Sequence, residues 1–436
     1  MQTECDSANR LRQYQRGVLS STIVPYRAGP GASITTPISL PGTDQTRTYG
    51  LDGLGNWKST NWTLVGSGGS TTSTAEVRQN NYVNEITSVR DTTDGTATTT
   101  PFTYDYGNNA NQAQGNGNLT NDGIRTYQWD AFNRLIQVGK VSGSVADVAT
   151  YVYDALGRRI QKTIANLSGG NGGLTGDIPA GTTSYLYDGQ QIVETRDASD
   201  APIAGYFWGQ YIDELLVLQT FDGGIARILS DLLYRATATV ATYNGIIETY
   251  DTDAYGNTLI YSGPGTDGEW FTDDDVRTNN PVNPFIFTGR QYDPETQIYY
   301  YRARYYAPEW GRFLQRDPLR FAEIVQGANL YWYVQNNPVN QVDPSGLIAP
   351  DCHVLRPLPN RGCNICQWQC TCPSGVLDGF GNTTLTVEAD CDSNPESGLS
   401  GKCNPRGSYW LTAAELLLAY AAEALAAGAA AVALDH

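Results

Sequence analysis

Tyr151-Val152-Tyr153-Asp154-Ala155-Leu156-Gly157-Arg158-Arg159-Ile160 is the stretch that decides the fold. Alternate residues of a strand share a face, so Tyr151 and Tyr153 point to one side of a sheet. Asp154 then opens a turn by accepting nearby backbone N–H groups, and Gly157 can adopt the positive φ that the turn requires. Arg158-Arg159-Ile160 starts the return strand. The same opening recurs in Tyr127-Gln128-Trp129-Asp130, which continues Ala131-Phe132-Asn133-Arg134-Leu135-Ile136. It appears again in Phe102-Thr103-Tyr104-Asp105 and Tyr185-Leu186-Tyr187-Asp188. Weakened copies lie at Cys5-Asp6-Ser7-Ala8-Asn9-Arg10-Leu11 and Tyr49-Gly50-Leu51-Asp52-Gly53-Leu54-Gly55-Asn56. Recurrence at the spacing of one supersecondary unit predicts stacked β-hairpins, with about half a dozen recognisable repeats before residue 283. Because Cys5 falls within a repeat, the first strand is expected at an exposed edge, and the shell is expected to be incomplete.

Composition supports short strands and tight turns rather than a helical bundle. Only 17% of the 436 residues are charged, while Gly (46) and Tyr (28) are abundant. The net charge is −17 and only four lysines occur. Phosphate backbones and anionic lipid surfaces need clustered Lys and Arg, so nucleic-acid or membrane-surface binding by the body is not expected. Met1-Gln2-Thr3-Glu4-Cys5-Asp6 has neither the basic nor the apolar region of a signal peptide. A secreted or cell-surface location would then depend on an export signal outside this chain or on a dedicated secretion partner.

From Asn283 the pattern changes. Pro284-Phe285-Ile286-Phe287-Thr288-Gly289-Arg290-Gln291-Tyr292-Asp293 leads into Tyr299-Tyr300-Tyr301-Arg302-Ala303-Arg304-Tyr305-Tyr306. Gly311-Arg312-Phe313-Leu314-Gln315-Arg316-Asp317-Pro318 and Asn329-Leu330-Tyr331 follow, and the run Asn336-Asn337-Pro338-Val339-Asn340-Gln341-Val342-Asp343-Pro344-Ser345-Gly346-Leu347 closes the segment. This stretch resembles the Rhs-associated core domain of Rhs/YD-repeat proteins, found in bacterial Rhs proteins and in the C component of insecticidal toxin complexes. The resemblance implies a mainly β fold, a spiralling shell of hairpins plugged by the core domain. Repeats would occupy 1–262, an acidic insertion 263–282, the core 283–347, a Cys-rich variable tail 348–407 and an Ala/Leu-rich helix 408–436.

The same resemblance implies self-cleavage by an aspartyl protease, with Asp317 and Asp343 as catalytic carboxylates and the cut between Leu347 and Ile348. Two carboxylates held close cannot both ionise, so one keeps a proton as acid while the other activates water. Arg316 would stabilise charge or position the loop, and Pro344 and Gly346 would fold the scissile segment back towards Asp343. Pro338 begins the run that keeps the family pattern in full. Both aspartates equally suit plain turns, since Asp-Pro is a common turn opener.

Weaker signals remain open. Asp267, Glu269, Asp273, Asp274 and Asp275 offer oxygen ligands of the kind Ca²⁺ takes, but lack EF-hand alternation, so a solvated loop is preferred. In the tail, Cys363, Cys366, Cys370 and Cys372 are spaced for zinc, with His353, Cys391 or Cys403 as further ligands; disulfides or free thiols fit as well. Leu411 to Leu434 is long enough to cross a bilayer, although Glu415 and Glu423 favour a packed helix. The tail carries four Lys/Arg against nine Asp/Glu, the reverse of what a nuclease normally needs. Two functions follow. One is a carrier that cuts itself and presents its own tail as cargo, a toxin with an immunity partner. The other is a surface protein with a repeat stalk and a disulfide-stapled binding or anchoring tail.

Overall fold

The computed structural model describes residues 2–6, 10–16, 45–65, 71–93, 95–105, 115–141, 147–165, 178–221, 223–270, 272, 274–318 and 328–347, with the strand backbone at 351–357, 365–371 and 384–390. The fold is mainly β and its sheets are antiparallel. Strands β1 (Gln2–Cys5) to β7 (Thr96–Pro101) pair in chain order as a seven-stranded sheet. Strands β8 (Thr103–Tyr104) to β22 (Val276–Arg277) pair in the same manner as a fifteen-stranded sheet. A small meander follows: β23 (Gln291–Asp293), β24 (Ile298–Tyr301), β25 (Arg304–Ala307) and β26 (Arg312–Phe313). The backbone of β27 (Asp351–Pro357), β28 (Ile365–Thr371) and β29 (Thr384–Asp390) makes a three-stranded sheet. Among the described residues neither large sheet closes on itself, and β1 is an edge strand paired with β2 (Leu11–Arg16).

The hairpins form for the reasons that the repeat suggests, and the contacts add a second role for each part. β10 (Arg125–Trp129) and β12 (Asp147–Tyr153) both end at the second aromatic. Tyr151 is buried while Val152 faces out. Tyr153 is half-buried, and its hydroxyl donates to the Leu135 carbonyl of the preceding hairpin at 2.6 Å. Trp129 does the same to Leu119 at 2.7 Å, and Tyr187 to Arg159 at 2.8 Å. Asp154 Oδ1 accepts from the Leu156 and Arg158 amides, both at 2.9 Å, while Oδ2 takes Arg158 Nε at 2.7 Å. Arg158 then donates to the Gly189 carbonyl of the next turn at 2.7 Å and lies over the Tyr187 ring. One arginine thus closes its own turn and ties it to the following repeat.

The repeats run further than the aromatic pattern shows. Turns opened by Asp52, Asn81, Asp231 and Asp253 use the same closing bond, from their own N–H to the carbonyl four residues on. Asn81 substitutes for Asp there, and Tyr234 (φ 58°) takes the left-handed position that Gly157 (φ 78°) and Asn133 (φ 60°) hold elsewhere.

The segment 283–347 lies against the buried aromatics of both large sheets. Tyr305 meets Tyr151 at a centroid distance of 5.5 Å, Phe285 meets Tyr206 at 5.1 Å, and Trp310 meets Phe102 at 4.8 Å. Buried charge reinforces the join. Arg159 on β13 (Arg159–Ile164) grips Asp293 with both terminal nitrogens, at 2.5 and 3.0 Å. Lys162 bonds Asp293 at 2.9 Å and Glu295 at 3.1 Å, and all four side chains are at least nine-tenths buried.

Candidate active site

Strand β25 begins with Arg304, and that residue organises the site. Its side chain is buried and lies 3.5 Å from the centroid of the Phe313 ring, which fixes the guanidinium plane. One nitrogen, Nη2, contacts Asp317 Oδ2 at 3.0 Å and Asp343 Oδ2 at 3.5 Å, and it also donates to the Leu347 carbonyl. The two carboxylate oxygens therefore lie within the sum of those two distances. Neither Asp side chain is more than 1% exposed.

The last residues of the core are held carbonyl by carbonyl. Arg302 donates to the Pro344 carbonyl, the Ala303 amide donates to that of Ser345 at 3.3 Å, and Arg304 Nε donates to that of Gly346. Asp343 Oδ1 collects the Gly346 amide at 2.9 Å, the Leu347 amide at 3.1 Å and the Ser345 hydroxyl at 3.2 Å. Gly346 sits at φ 73° against the Tyr301 carbonyl, where a Cβ would overlap that oxygen, so only glycine fits both requirements. Leu347 is half-buried against Leu330.

Electrostatics set Asp343 apart from an ordinary carboxylate. Burial pushes the Asp343 carboxyl above its usual range, with Arg304 and the three hydrogen bonds opposing without reversing the shift. Burial also lowers Arg304, against the pull of Asp317 and Asp343. Arg304 thus serves both carboxylates from one nitrogen, and two carboxylates so close favour one proton between them.

Of the residues expected from sequence, Asp317, Asp343, Pro344, Gly346 and Leu347 come together. Arg316 goes elsewhere: its Cγ and Cδ cover Gly117 beside the Tyr331 hydroxyl. Pro338 is buried ahead of the segment. Ile348, Cys363 and Cys372 lie outside the described residues, as do the side chains of Cys366 and Cys370 on β28 and the whole of Leu411 to Leu434. In the acidic insertion Asp273 is also outside them, and Asp274 Oδ2 is occupied by the Thr266 amide (2.6 Å) and hydroxyl (2.7 Å). Among the described residues no group of three or more His, Cys, Asp or Glu is placed to hold a metal ion. Sequence reasoning missed Arg304. Its signal was an arginine inside a run of buried tyrosines, a position that demands buried counter-charges.

No family model matches the chain. It is 33% identical over 302 residues to the tRNA3(Ser)-specific nuclease WapA of Bacillus spizizenii, covering 68% of this chain and 11% of that protein. It is 30% identical over 222 residues to the probable deoxyribonuclease RhsB of Dickeya dadantii, covering 51% of this chain and 13% of the relative. Toxin subunit YenC1 of Yersinia entomophaga is 27% identical over 237 residues, or 51% of this chain and 22% of that subunit. The chain thus spans between a tenth and a quarter of the length of these relatives. Their names and the hairpin repeats agree: the chain belongs to the Rhs/YD-repeat proteins.

Proposed function

We propose that this chain is the shell-and-core part of an Rhs-type carrier that hydrolyses its own Leu347–Ile348 bond and so releases or presents the tail from Ile348 onward as cargo. The observation that carries this reading is the single Arg304 nitrogen in contact with Asp317, Asp343 and the Leu347 carbonyl. Asp317, in the closer ion pair, takes a proton from the attacking water. Arg304 stabilises the oxyanion that forms on the Leu347 carbonyl oxygen. Asp343, protonated, donates to the departing Ile348 nitrogen. Water ends as hydroxyl on the Leu347 carbonyl carbon and a proton on the amine, so the step balances without a cofactor.

The relatives' printed names, nucleases and a toxin subunit, support a toxin-type cargo and a secreted or surface-delivered route. The tail's own charge balance speaks against a nucleic-acid substrate, so its target differs from those names. Intact mass of the purified chain tests the reading. Two species, meeting at Leu347 and Ile348, are expected from the wild type and one species from Asp317→Asn and from Asp343→Asn. An uncut wild type, or normal processing in both variants, would overturn it and leave the repeat-stalk reading.

A further inference from the structure

One hairpin breaks the repeat, and the break is aimed at the scissile segment. Between β16 (Pro202–Trp208) and β17 (Leu215–Thr220), Gly209 stands where Asp opens other turns. The turn runs on to Glu214, whose carbonyl accepts the Gly209 amide at 2.7 Å. This longer turn carries Asp213 inward, to 2% exposure. There Asp213 Oδ1 meets Arg302 Nη2 at 3.0 Å and also pairs with Arg290. Both arginines donate to the Pro344 carbonyl, Arg290 at 3.5 Å. Gly289 (φ 67°) lets the backbone reach the Asp213 carbonyl, which a Cβ would overlap.

The neighbouring turn completes a clasp. Tyr211 stacks on Tyr234 at 4.0 Å and 17°, and Tyr211 and Leu233 enclose Val342, the residue before Asp343. Tyr234 accepts a left-handed φ of 58° in order to be there, a conformation that an aromatic residue rarely adopts. Strain retained at a position where other repeats use Gly or Asn indicates that the stack has a use.

We infer that the repeat turns at 209–214 and 231–235 position the scissile segment, with Asp213 as the positioning residue that sets Arg290 and Arg302 on the Pro344 carbonyl. The inference rests on the self-cleavage reading above and gives that reaction a condition: the hairpins must be assembled before the bond is cut. Charge counting supports the role. Arg290 and Arg302 share the Asp213 carboxylate, and the charged groups around Asp343 are Arg304, Asp317, Arg290 and Arg302, with the Tyr333 hydroxyl nearby. Removing Asp213 frees two cations to pull the proton off Asp343 and to repel one another.

The test uses the full chain. In Asp213→Asn the cleavage rate should fall about tenfold or more, and the alkaline limb of its pH profile should move to lower pH. In Asp213→Ala, formate should restore rate where chloride at equal ionic strength does not, since a cavity of about 30 Å³ adjoins Gly289, Arg290 and Arg302. Asp154→Asn, in an ordinary repeat turn, is the stability control and should cut at the wild-type rate. Loss of rate with an unmoved limb and no formate rescue would mean a merely structural Asp213 and would overturn the inference. Amide exchange at Gly346 and Leu347, measured in an Asp317→Asn background, needs no cleavage. Faster exchange on adding Asp213→Asn supports positioning even if the wild type proves uncut, whereas unchanged exchange overturns it even if the wild type cuts.

Discussion

Asp293 and Asp343 are both fully buried carboxylates of the core segment, yet they are charged in opposite senses by their surroundings. Asp293 and Glu295 face Arg159 and Lys162, two carboxyls against two cations, and burial holds Glu295 above its usual range. Burial opposes the ionised form of Asp293, but Arg159 and Lys162 overcome it and hold the carboxyl below its usual range. Around Asp343 stand Arg304, Asp317, Arg290 and Arg302, and burial outweighs the arginine to keep its carboxyl above the usual range. A balanced cluster joins two parts of the fold. Asp343, the carboxyl whose ionised form burial disfavours, lies beside the Leu347 carbonyl, to which Arg304 donates.

The largest expected effect falls on the balanced cluster. Asp293→Asn takes away the carboxylate that Arg159 grips and leaves Lys162 with Glu295 alone, and should destabilise the chain by about 3–5 kcal/mol in urea unfolding. Its pH dependence follows from the lowered pKa: the stability that Asp293 contributes is present above the unfolded value near 3.8 and is lost as pH falls through the folded value. A loss under 1 kcal/mol would show that the cluster is not the join described here.

Arg304→Lys keeps a charge but not the fork that reaches Asp317, Asp343 and the carbonyls of Leu330, Gly346 and Leu347. It should slow self-cleavage on the order of 10²-fold in a time course of intact masses. Little change would remove Arg304 from the chemistry. The third effect is smaller and depends on pH. Because burial raises Asp343, its acid form is complete below its folded pKa and lost as pH rises through it. Cleavage should therefore be several-fold faster in mild acid than at pH 8. A rate that climbs with pH would assign the acid role elsewhere. The smallest effect belongs to an ordinary turn. Asp154 and Arg158 are a fifth to a quarter exposed, so Asp154→Asn should cost about 1 kcal/mol or less and leave the cut untouched.

These contrasts also mark where sequence stops being informative. The hairpins were legible because their decisive contacts are local: Asp154 bonds residues two and four positions on. The repeats that escaped notice lack the full aromatic pair, with Arg78-Gln79-Asn80 before Asn81, Ile228-Leu229-Ser230 before Asp231 and Tyr250-Asp251-Thr252 before Asp253, while the closing bond stayed. Around the site, Asp317, Asp343, Pro344 and Gly346 were legible through the family pattern. Arg316 was expected to act because it adjoins Asp317, but consecutive side chains on an open stretch of chain diverge, and Arg316 ends over Gly117. The arginine in contact with Asp317 comes from 13 positions earlier, on a separate strand. Asp213 was further out of reach, since its partners lie 77 and 89 positions away and only tertiary packing joins them.

Intact mass spectrometry of the freshly folded full chain, with sequencing of any new N-terminus, bears most directly on the assignment of a self-cleaving site to Arg304, Asp317 and Asp343. The prediction is a body ending at Leu347 together with a tail beginning at Ile348, and a single uncut species from Asp343→Asn. A wild-type chain that stays whole from mild acid to pH 8 would contradict it.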